Sequence, residues 1–221
     1  VQATLPRSAL LVIAKAPVAG RAKTRLCPPL TPSQAAELAE AALRDTLQAV
    51  LQTPAPRRVL VLDGPAGDWL TPGIEVIAQR EAGFAERLAG AFEDVGEPAF
   101  LIGMDTPQVT PELLEAALGA LDTPGSDAVL GLCEDGGYWG IGLRRPDPRV
   151  FAGVPMSTAH TGESQRLRLE ALGLRTHPLP LLRDVDCHAD ALAVALQAPG
   201  SRFARALSRA GHGADSAQEA A

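Results

Sequence analysis

Apolar positions along the chain recur with two different periods, and the two alternate. Short continuous apolar runs of strand length are bounded by turn residues. Residues 8–14, with Ala9-Leu10-Leu11-Val12-Ile13 at their centre, predict a first strand, and Arg58–Asp63 a second. Gly73–Ala78 predicts a short third strand and Ala99–Gly103 a fourth; Asp127–Leu132 and Tyr138–Leu143 follow, and Arg175–Leu181 reads as extended. Between them lie segments of helical period. Thr31 is placed to cap a helix with Pro32 at its first position, running to about Leu51 with Leu38, Ala42 and Leu47 on its apolar face. Phe84–Asp94, a Thr110-capped helix with Pro111 first that reaches about Leu121, Thr161–Leu172, Ala189–Leu196 and Arg202–Arg209 complete the set. Such alternation is the signature of an α/β fold with a largely parallel sheet. No long Pro/Gly/Ser linker or internal repeat interrupts it, so one domain over residues 1–210 is expected. The Ala/Gly-rich segment 211–221 reads as a disordered tail.

Composition narrows the partners. Hydrophobic residues make up 46% and aromatics 4% of the 221 residues, so the core must rest on Leu, Val, Ile and Ala. A net charge of −6 argues against a nucleic-acid partner. No stretch reaches membrane-spanning length. Arg7, the first apolar run and Ala14-Lys15-Ala16 superficially resemble a secretion signal, but the apolar core is only about seven residues and a lysine sits inside the supposed cleavage site. A buried strand is the better reading. Cys27, Cys133 and Cys187 are widely spaced, with no paired metal-binding pattern, which fits reduced thiols in a cytoplasm. The oligomeric state stays open, a dimer included.

The densest chemistry follows the first strand. Lys15, Arg21, Lys23 and Arg25 fall within eleven residues, together with Gly20 and Thr24. Oriented amides backed by positive charge hold polyphosphates, so Lys15, Ala16, Gly20, Arg21, Lys23, Thr24 and Arg25 are the nucleotide-binding candidates. The spacing is not that of a standard P-loop. Open α/β sheets bind ligands beyond the carboxyl ends of their strands. Two acidic features fall at such ends: Asp105, in Ile102-Gly103-Met104-Asp105-Thr106-Pro107, and Arg183-Asp184-Val185-Asp186. Alternation should turn Asp184 and Asp186 to one side, although Asp184 has a simpler reading as a partner of Arg183. Magnesium carrying nucleotide phosphates needs only one or two carboxylates, which Asp105 and Asp186 would supply. Glu134-Asp135-Gly136-Gly137-Tyr138-Trp139-Gly140 reads equally as a hairpin turn and as a substrate-facing segment in which Asp135, Gly136, Gly137 and Tyr138 meet the acceptor. His160 reads as a loop residue, Glu86-Arg87 as an exposed helical pair, and Trp69 and Phe84 as packing residues.

Taken in order, these segments resemble a bacterial family labelled glycosyltransferase-like, or radical-SAM/selenodomain-associated transferase, of the GT-A nucleotidyltransferase and glycosyltransferase superfamily. The resemblance spans roughly residues 8–197. It is carried by the motifs at 14–26, 102–110, 134–143, 156–158 and 184–186. The first loop is also similar to that of phospholactate and molybdenum-cofactor guanylyltransferases. The resemblance implies a single-domain GT-A fold, with Lys15, Gly20, Lys23 and Arg25 in the phosphate loop, Asp105 and Asp186 as metal acids, and Asp135, Gly136 and Gly137 on the acceptor side. Of the family's Gln-Gly-x-Gly-Asp-Leu-Gly-Glu-Arg stretch, Gln79, which by the resemblance joins the nucleotide-binding candidates, Glu86 and Arg87 remain, while the glycines and aspartate between them differ. After Asp186, Cys187-His188-Ala189-Asp190-Ala191 replaces Thr-Pro-Glu-Asp-Leu.

The expected activity is therefore Mg2+- or Mn2+-dependent transfer of a nucleotidyl group from a nucleoside triphosphate to a phosphorylated small molecule, with Lys23, Arg25 and Asp105 as the catalytic set. Two alternatives stand beside it: glycosyl transfer from a sugar nucleotide in the same cleft, and nucleotide binding without catalysis.

Overall fold

The computed structural model describes residues 6–218. Seven strands form one sheet in the order β3-β2-β1-β4-β6-β5-β7. They are β1 (Ala9–Lys15), β2 (Arg58–Asp63), β3 (Glu75–Ala78), β4 (Ala99–Gly103), β5 (Ala128–Leu132), β6 (Tyr138–Leu143) and β7 (Thr176–Pro178). Every pairing is parallel except those of β6, which runs antiparallel to β4 and β5. Strand β1 is central because its run is apolar on both faces, as a parallel strand covered from above and below requires. Leu10, Val12 and Ala14 face helices α1 (Pro32–Gln52) and α3 (Pro111–Asp122). Ala9, Leu11 and Ile13 face the opposite layer, with α2 (Phe84–Val95) and the Leu169 turn of α4 (Thr161–Ala171).

Helix starts follow the capping residues. Thr31 accepts from the Gln34 N–H at 3.3 Å and Gln34 Oε1 accepts from the Thr31 N–H at 2.9 Å, a reciprocal cap. Thr110 likewise accepts from the Leu113 N–H at 3.3 Å. Helices α5 (His188–Gln197) and α6 (Arg202–Gln218) form a third cluster on the outer side of α1, through Leu38, Ala42, Val194, Phe203 and Leu207. Asp45 of α1 fixes the start of α6, accepting from the Phe203 N–H at 2.8 Å and pairing with Arg202 at 3.2 Å.

Three boundaries differ from the sequence expectation. The third strand begins at Glu75 and lies at the sheet edge, so Gly73 and Ile74 stay outside it. The extended segment 175–181 contributes only Thr176–Pro178, since Pro178 and Pro180 have no N–H for a ladder. The chain rejoins the sheet at the Cys133–Leu182 bridge. Helix α6 continues to Gln218, into the segment 211–221 read as a tail; residues 219–221 lie outside the described residues.

Parallel order sets where the cleft opens. β2 and β4 flank β1 on opposite sides, and their registers bring Lys15 beside Asp63 and Ile13 beside Gly103. The chain leaves β1 and β4 at the same sheet edge, the place where an α/β sheet parts to admit a ligand.

Candidate functional site

A cleft over the carboxyl ends of β1 and β4 has two compartments. The first, of about 330 Å3, is lined by Lys15, Arg21, Lys23, Thr24, Arg25 and Gln79. The second, of about 520 Å3, is lined by Asp135, Asp184, Thr106, Tyr138, Trp139 and the Met156–Ala159 loop. Arg25, Phe84, Arg87, Asp105 and Asp186 face both.

In the basic compartment the loop after β1 folds back on itself. The Arg21 and Ala22 amides donate to the Val18 carbonyl at 3.0 Å, and Thr24–Leu26 form one 3-10 turn. Lys23, just before that turn, is left-handed (φ 51°), which directs its side chain inward. Among the described residues the N–H groups of Lys23, Thr24 and Arg25 find no backbone acceptor. They are oriented donors beside four cations, the arrangement that suits an anion.

Lys23 is only 9% exposed in its side chain, and its ammonium lies 2.6 Å from Asp105 Oδ1 and donates to the Val185 carbonyl. The Val185 N–H in turn donates to the Asp105 carbonyl at 2.9 Å. One lysine thus ties together three segments far apart in sequence. Arg25 pairs with Asp186 at 2.6 Å, and Lys15 with Asp63 at 4.0 Å.

The structure brings the expected site residues together unevenly. Ala16 is buried with its N–H spent on the Asp63 carbonyl at 2.8 Å, and Gly20 is exposed at the bend of the loop (φ 75°); neither lines the cleft. Gln79 lines it as a strut. Its Nε2 donates to the Ala14 and Val61 carbonyls at 2.8 and 3.1 Å, and its Oε1 accepts from Arg87 at 2.9 Å. Gly136 (φ 93°) is also absent from the wall, because the Met156–Ala159 loop closes on it: a Cβ there would lie 2.0 Å from the Ala159 carbonyl. Gly137 and Asp135 do line the acceptor side, with Asp135 accepting the Gly137 N–H at 2.7 Å in the turn of the β5–β6 hairpin. Tyr138 presents its ring to the cavity while its hydroxyl donates to Gln165 at 3.4 Å, and burial pushes its pKa far up.

Several cleft residues escaped the sequence reading. Arg87 turns inward with its guanidinium 5.3 Å from the Phe84 ring centre, and its Nε is a buried donor without a partner among the described residues. Phe84 is 40% exposed and belongs to the cleft, not the core. The signal for Arg87 was its retention in the altered family stretch, and for Phe84 only its place within that stretch. Asp184 does not pair with Arg183, whose guanidinium turns to Glu134 and Asp190. Instead Asp184 and Asp186 both face the acidic compartment, with Val185 buried between them, as strand alternation implies. Burial first, then the charges of Asp135, Asp186 and Asp105, push the Asp184 carboxyl up to about 6. His160 is exposed and outside the cleft, and Trp69 is buried in the core.

The donor set fits a hard divalent cation. Asp105 Oδ2 and Asp186 Oδ1 carry no hydrogen bond among the described residues, their partner oxygens being taken by Lys23 and Arg25. Both carboxylates front both compartments, so one ion held there would sit at their junction.

Comparison with known proteins bears on the family and the fold. No curated protein matches the chain in sequence. A structure from Desulfovibrio desulfuricans G20, provisionally described as a nucleotide-diphospho-sugar transferase, is 28% identical over 92% of this chain and 94% of its own, with a TM-score of 0.80. A CMP:2-keto-3-deoxy-manno-octonic acid synthetase in complex with CTP (15% identity, 87% and 99% covered, TM-score 0.55) shares the fold. So does a 4-diphosphocytidyl-2C-methyl-D-erythritol synthase from Anaerococcus prevotii DSM 20548 (10% identity, 87% and 96% covered, TM-score 0.55). The fold is that of GT-A-type nucleotide-diphospho-sugar transferases, and the neighbours are transferases. Residues 33–158 match the family model described as "Uncharacterized protein conserved in bacteria (DUF2064)", and the chain belongs to that family.

Proposed function

We propose that the protein is a divalent-metal-dependent nucleotidyltransferase that takes a nucleoside triphosphate and a phosphorylated small molecule and releases pyrophosphate. The observation that carries this reading is the contact of Lys23 with Asp105: the basic loop and the metal acids face one space. A polyphosphate would lie along Lys15, Arg21, Arg25 and the open amides of 23–25. A metal held by Asp105 and Asp186 would neutralise charge at the reacting phosphorus. Lys23 acts here as a positioning residue, since its ammonium is already committed to Asp105 and the Val185 carbonyl. Charge on the departing pyrophosphate then falls to Lys15, Arg21 and Arg25. Arg87, aligned by Gln79, stands between the compartments where an acceptor phosphate would approach. No covalent intermediate is required; positioning and charge neutralisation carry such a reaction.

A second reading, transfer of a sugar from a nucleotide-diphospho-sugar, is favoured by one observation. The acceptor compartment is bounded by Asp105, Asp135, Asp184 and Asp186, and carboxylates accept from sugar hydroxyls but repel a phosphate. The description of the D. desulfuricans structure points the same way.

A panel of triphosphates and sugar nucleotides, each with Mg2+ or Mn2+, tests both. A bound donor at a hundred times its Kd should stabilise the fold by about 2.7 kcal/mol in thermal unfolding. Pyrophosphate release with a phosphorylated acceptor supports the first reading, and nucleoside diphosphate release supports the second. A flat response across the whole panel overturns both.

A further inference from the structure

Within the acidic compartment, charge is compensated unequally. Asp105 and Asp186 each have a cation at 2.6 Å, whereas Asp135 and Asp184 pair with no Lys or Arg among the described residues. Beside these two lies the Cys133 thiol, 5% exposed and without a hydrogen bond among the described residues. The Cys133 Sγ and one carboxylate oxygen each from Asp135 and Asp184 all lie within 4.8 Å of one another. Fold topology brings them together. Cys133 and Asp135 belong to the β5–β6 turn, and the Cys133–Leu182 bridge draws the 182–186 segment alongside it. A separate observation points to a missing ligand in this compartment. Thr106, 1% exposed, forms part of the same wall, and its Oγ1 is a buried hydroxyl with no partner among the described residues.

We propose that Cys133, Asp135 and Asp184 form a second divalent-metal site, separate from the Asp105–Asp186 pair and selective for a thiophilic first-row ion such as zinc or cobalt. Sulfur in the donor set disfavours magnesium, which prefers oxygen and strict octahedral geometry. Donors around a tetrahedral zinc stand roughly 3.5 Å apart. The three donor atoms already lie within 4.8 Å of one another, and Asp135, on an exposed turn, is free to rotate towards an ion. On coordination the Cys133 thiol gives its proton to solvent, a sulfur–metal bond forms, and no electrons change hands. Three protein ligands leave a position open towards the cavity, where an acceptor oxygen could bind with the Thr106 hydroxyl beside it. The ion would also reverse the repulsion that a phosphorylated acceptor meets in this compartment. The site goes beyond the nucleotide reading and stands without it.

Cobalt(II) titrated into the chelator-treated full chain tests the site directly. A sulfur-to-cobalt charge-transfer band in the near ultraviolet should appear and saturate at one ion per chain. It should vanish in Cys133→Ser and persist in the Cys27→Ser/Cys187→Ser double variant, the other two thiols being the controls. Asp184→Asn should weaken apparent cobalt affinity by tenfold or more, since even outer-shell partners of metal ligands are worth roughly 10–100-fold. Asp105→Asn/Asp186→Asn should leave the band in place. Circular dichroism checks each fold, and if Cys133→Ser does not fold, Asp184→Asn decides. Absence of the band in the folded parent, or a band indifferent to both Cys133→Ser and Asp184→Asn, overturns the proposal. A band in a protein that binds no triphosphate would sink the nucleotide reading and leave this one standing.

Discussion

The two compartments of the cleft are built on opposite electrostatic plans. In the basic compartment four cations come from one stretch of eleven residues, and Lys23 is locked onto an acid that follows β4. In the acidic compartment the carboxylates come from three separate segments, and two of them stand without a compensating cation. The first is an assembled cradle for anions, stable as it stands. The second holds a concentration of negative charge that the fold tolerates at a cost and that a cation or hydroxyl donor would relieve. The cleft is thus suited to two ligands of different charge, meeting where Asp105, Asp186, Arg25 and Arg87 converge.

Removing the backbone freedom that lets the acidic compartment close should have the largest effect. In Gly136→Ala the new Cβ meets the Ala159 carbonyl at 2.0 Å in a backbone with φ 93°, so turn and loop must separate. A loss of about 3 kcal/mol or more is expected, read as a lower midpoint in denaturant. Donor binding, measured well below the transition, should survive, because the loop cations are carried by the end of β1 and touch the turn only indirectly, through the 182–186 segment. Equal loss of nucleotide affinity would show that the compartments are one cooperative unit.

Next in size is Asp105→Asn, which cuts the link between the two plans. Turnover should fall about a hundredfold, near 3 kcal/mol of barrier. Lys23 then loses its partner in a nearly buried position, so thermal stability should fall as well. A variant with full turnover would remove Asp105 from the reaction.

What the sequence disclosed follows the same division. The loop cations and Asp105 were legible because they follow strands whose apolar runs are unmistakable, and strand ends in a parallel sheet meet at one edge; Asp186 was legible only through its alternation with Asp184 and the resemblance. Thr31 and Thr110 were legible as caps because their hydrogen bonds are local. Arg87 and Phe84 were not. Helical period places both near the edge of the apolar face of α2, and only the Gln79 strut between β1 and β2 decides that Arg87 turns into the cleft. Asp184 was misjudged for a similar reason. A neighbouring arginine suggested a pair, but Arg183 has better partners in Asp190, at the start of α5, and Glu134, which comes alongside only when the sheet forms. The change at 187–191 proves local. Asp190 accepts from the Cys187 N–H and thiol, both at 3.0 Å, so the start of α5 survives the loss of the family threonine.

Arg87→Ala probes the junction with a smaller effect. Its guanidinium is held by Gln79 and lies over Phe84, so truncation removes one cation from the meeting point without touching either compartment's frame. Acceptor KM should rise about tenfold, near 1.4 kcal/mol, with donor affinity changed less. Calorimetry with the donor alone separates the two. If donor affinity falls by the same factor, Arg87 belongs to the basic compartment only.

The smallest effect should be a gain. Asp184 has its carboxyl pushed up to about 6, against an ordinary value near 4, by burial and by Asp135, Asp186 and Asp105. The other groups at this spot are the Cys133 thiol, Lys23, which is committed to Asp105, and Arg25, committed to Asp186. A raised folded-state value means the native protein holds this proton more tightly than the unfolded chain does. Its contribution is full below about pH 4 and is lost as pH rises towards 6. Asp184→Asn removes the titration, so in chelator-treated protein the variant should be the more stable of the two at pH 7, by about 1 kcal/mol. That margin should shrink towards zero near pH 4. Differential scanning calorimetry of the pair across this range gives the sign directly. A variant less stable than the parent at pH 7 would mean that the Asp184 carboxylate is compensated within the protein, and the contrast between the two compartments would lose its physical basis.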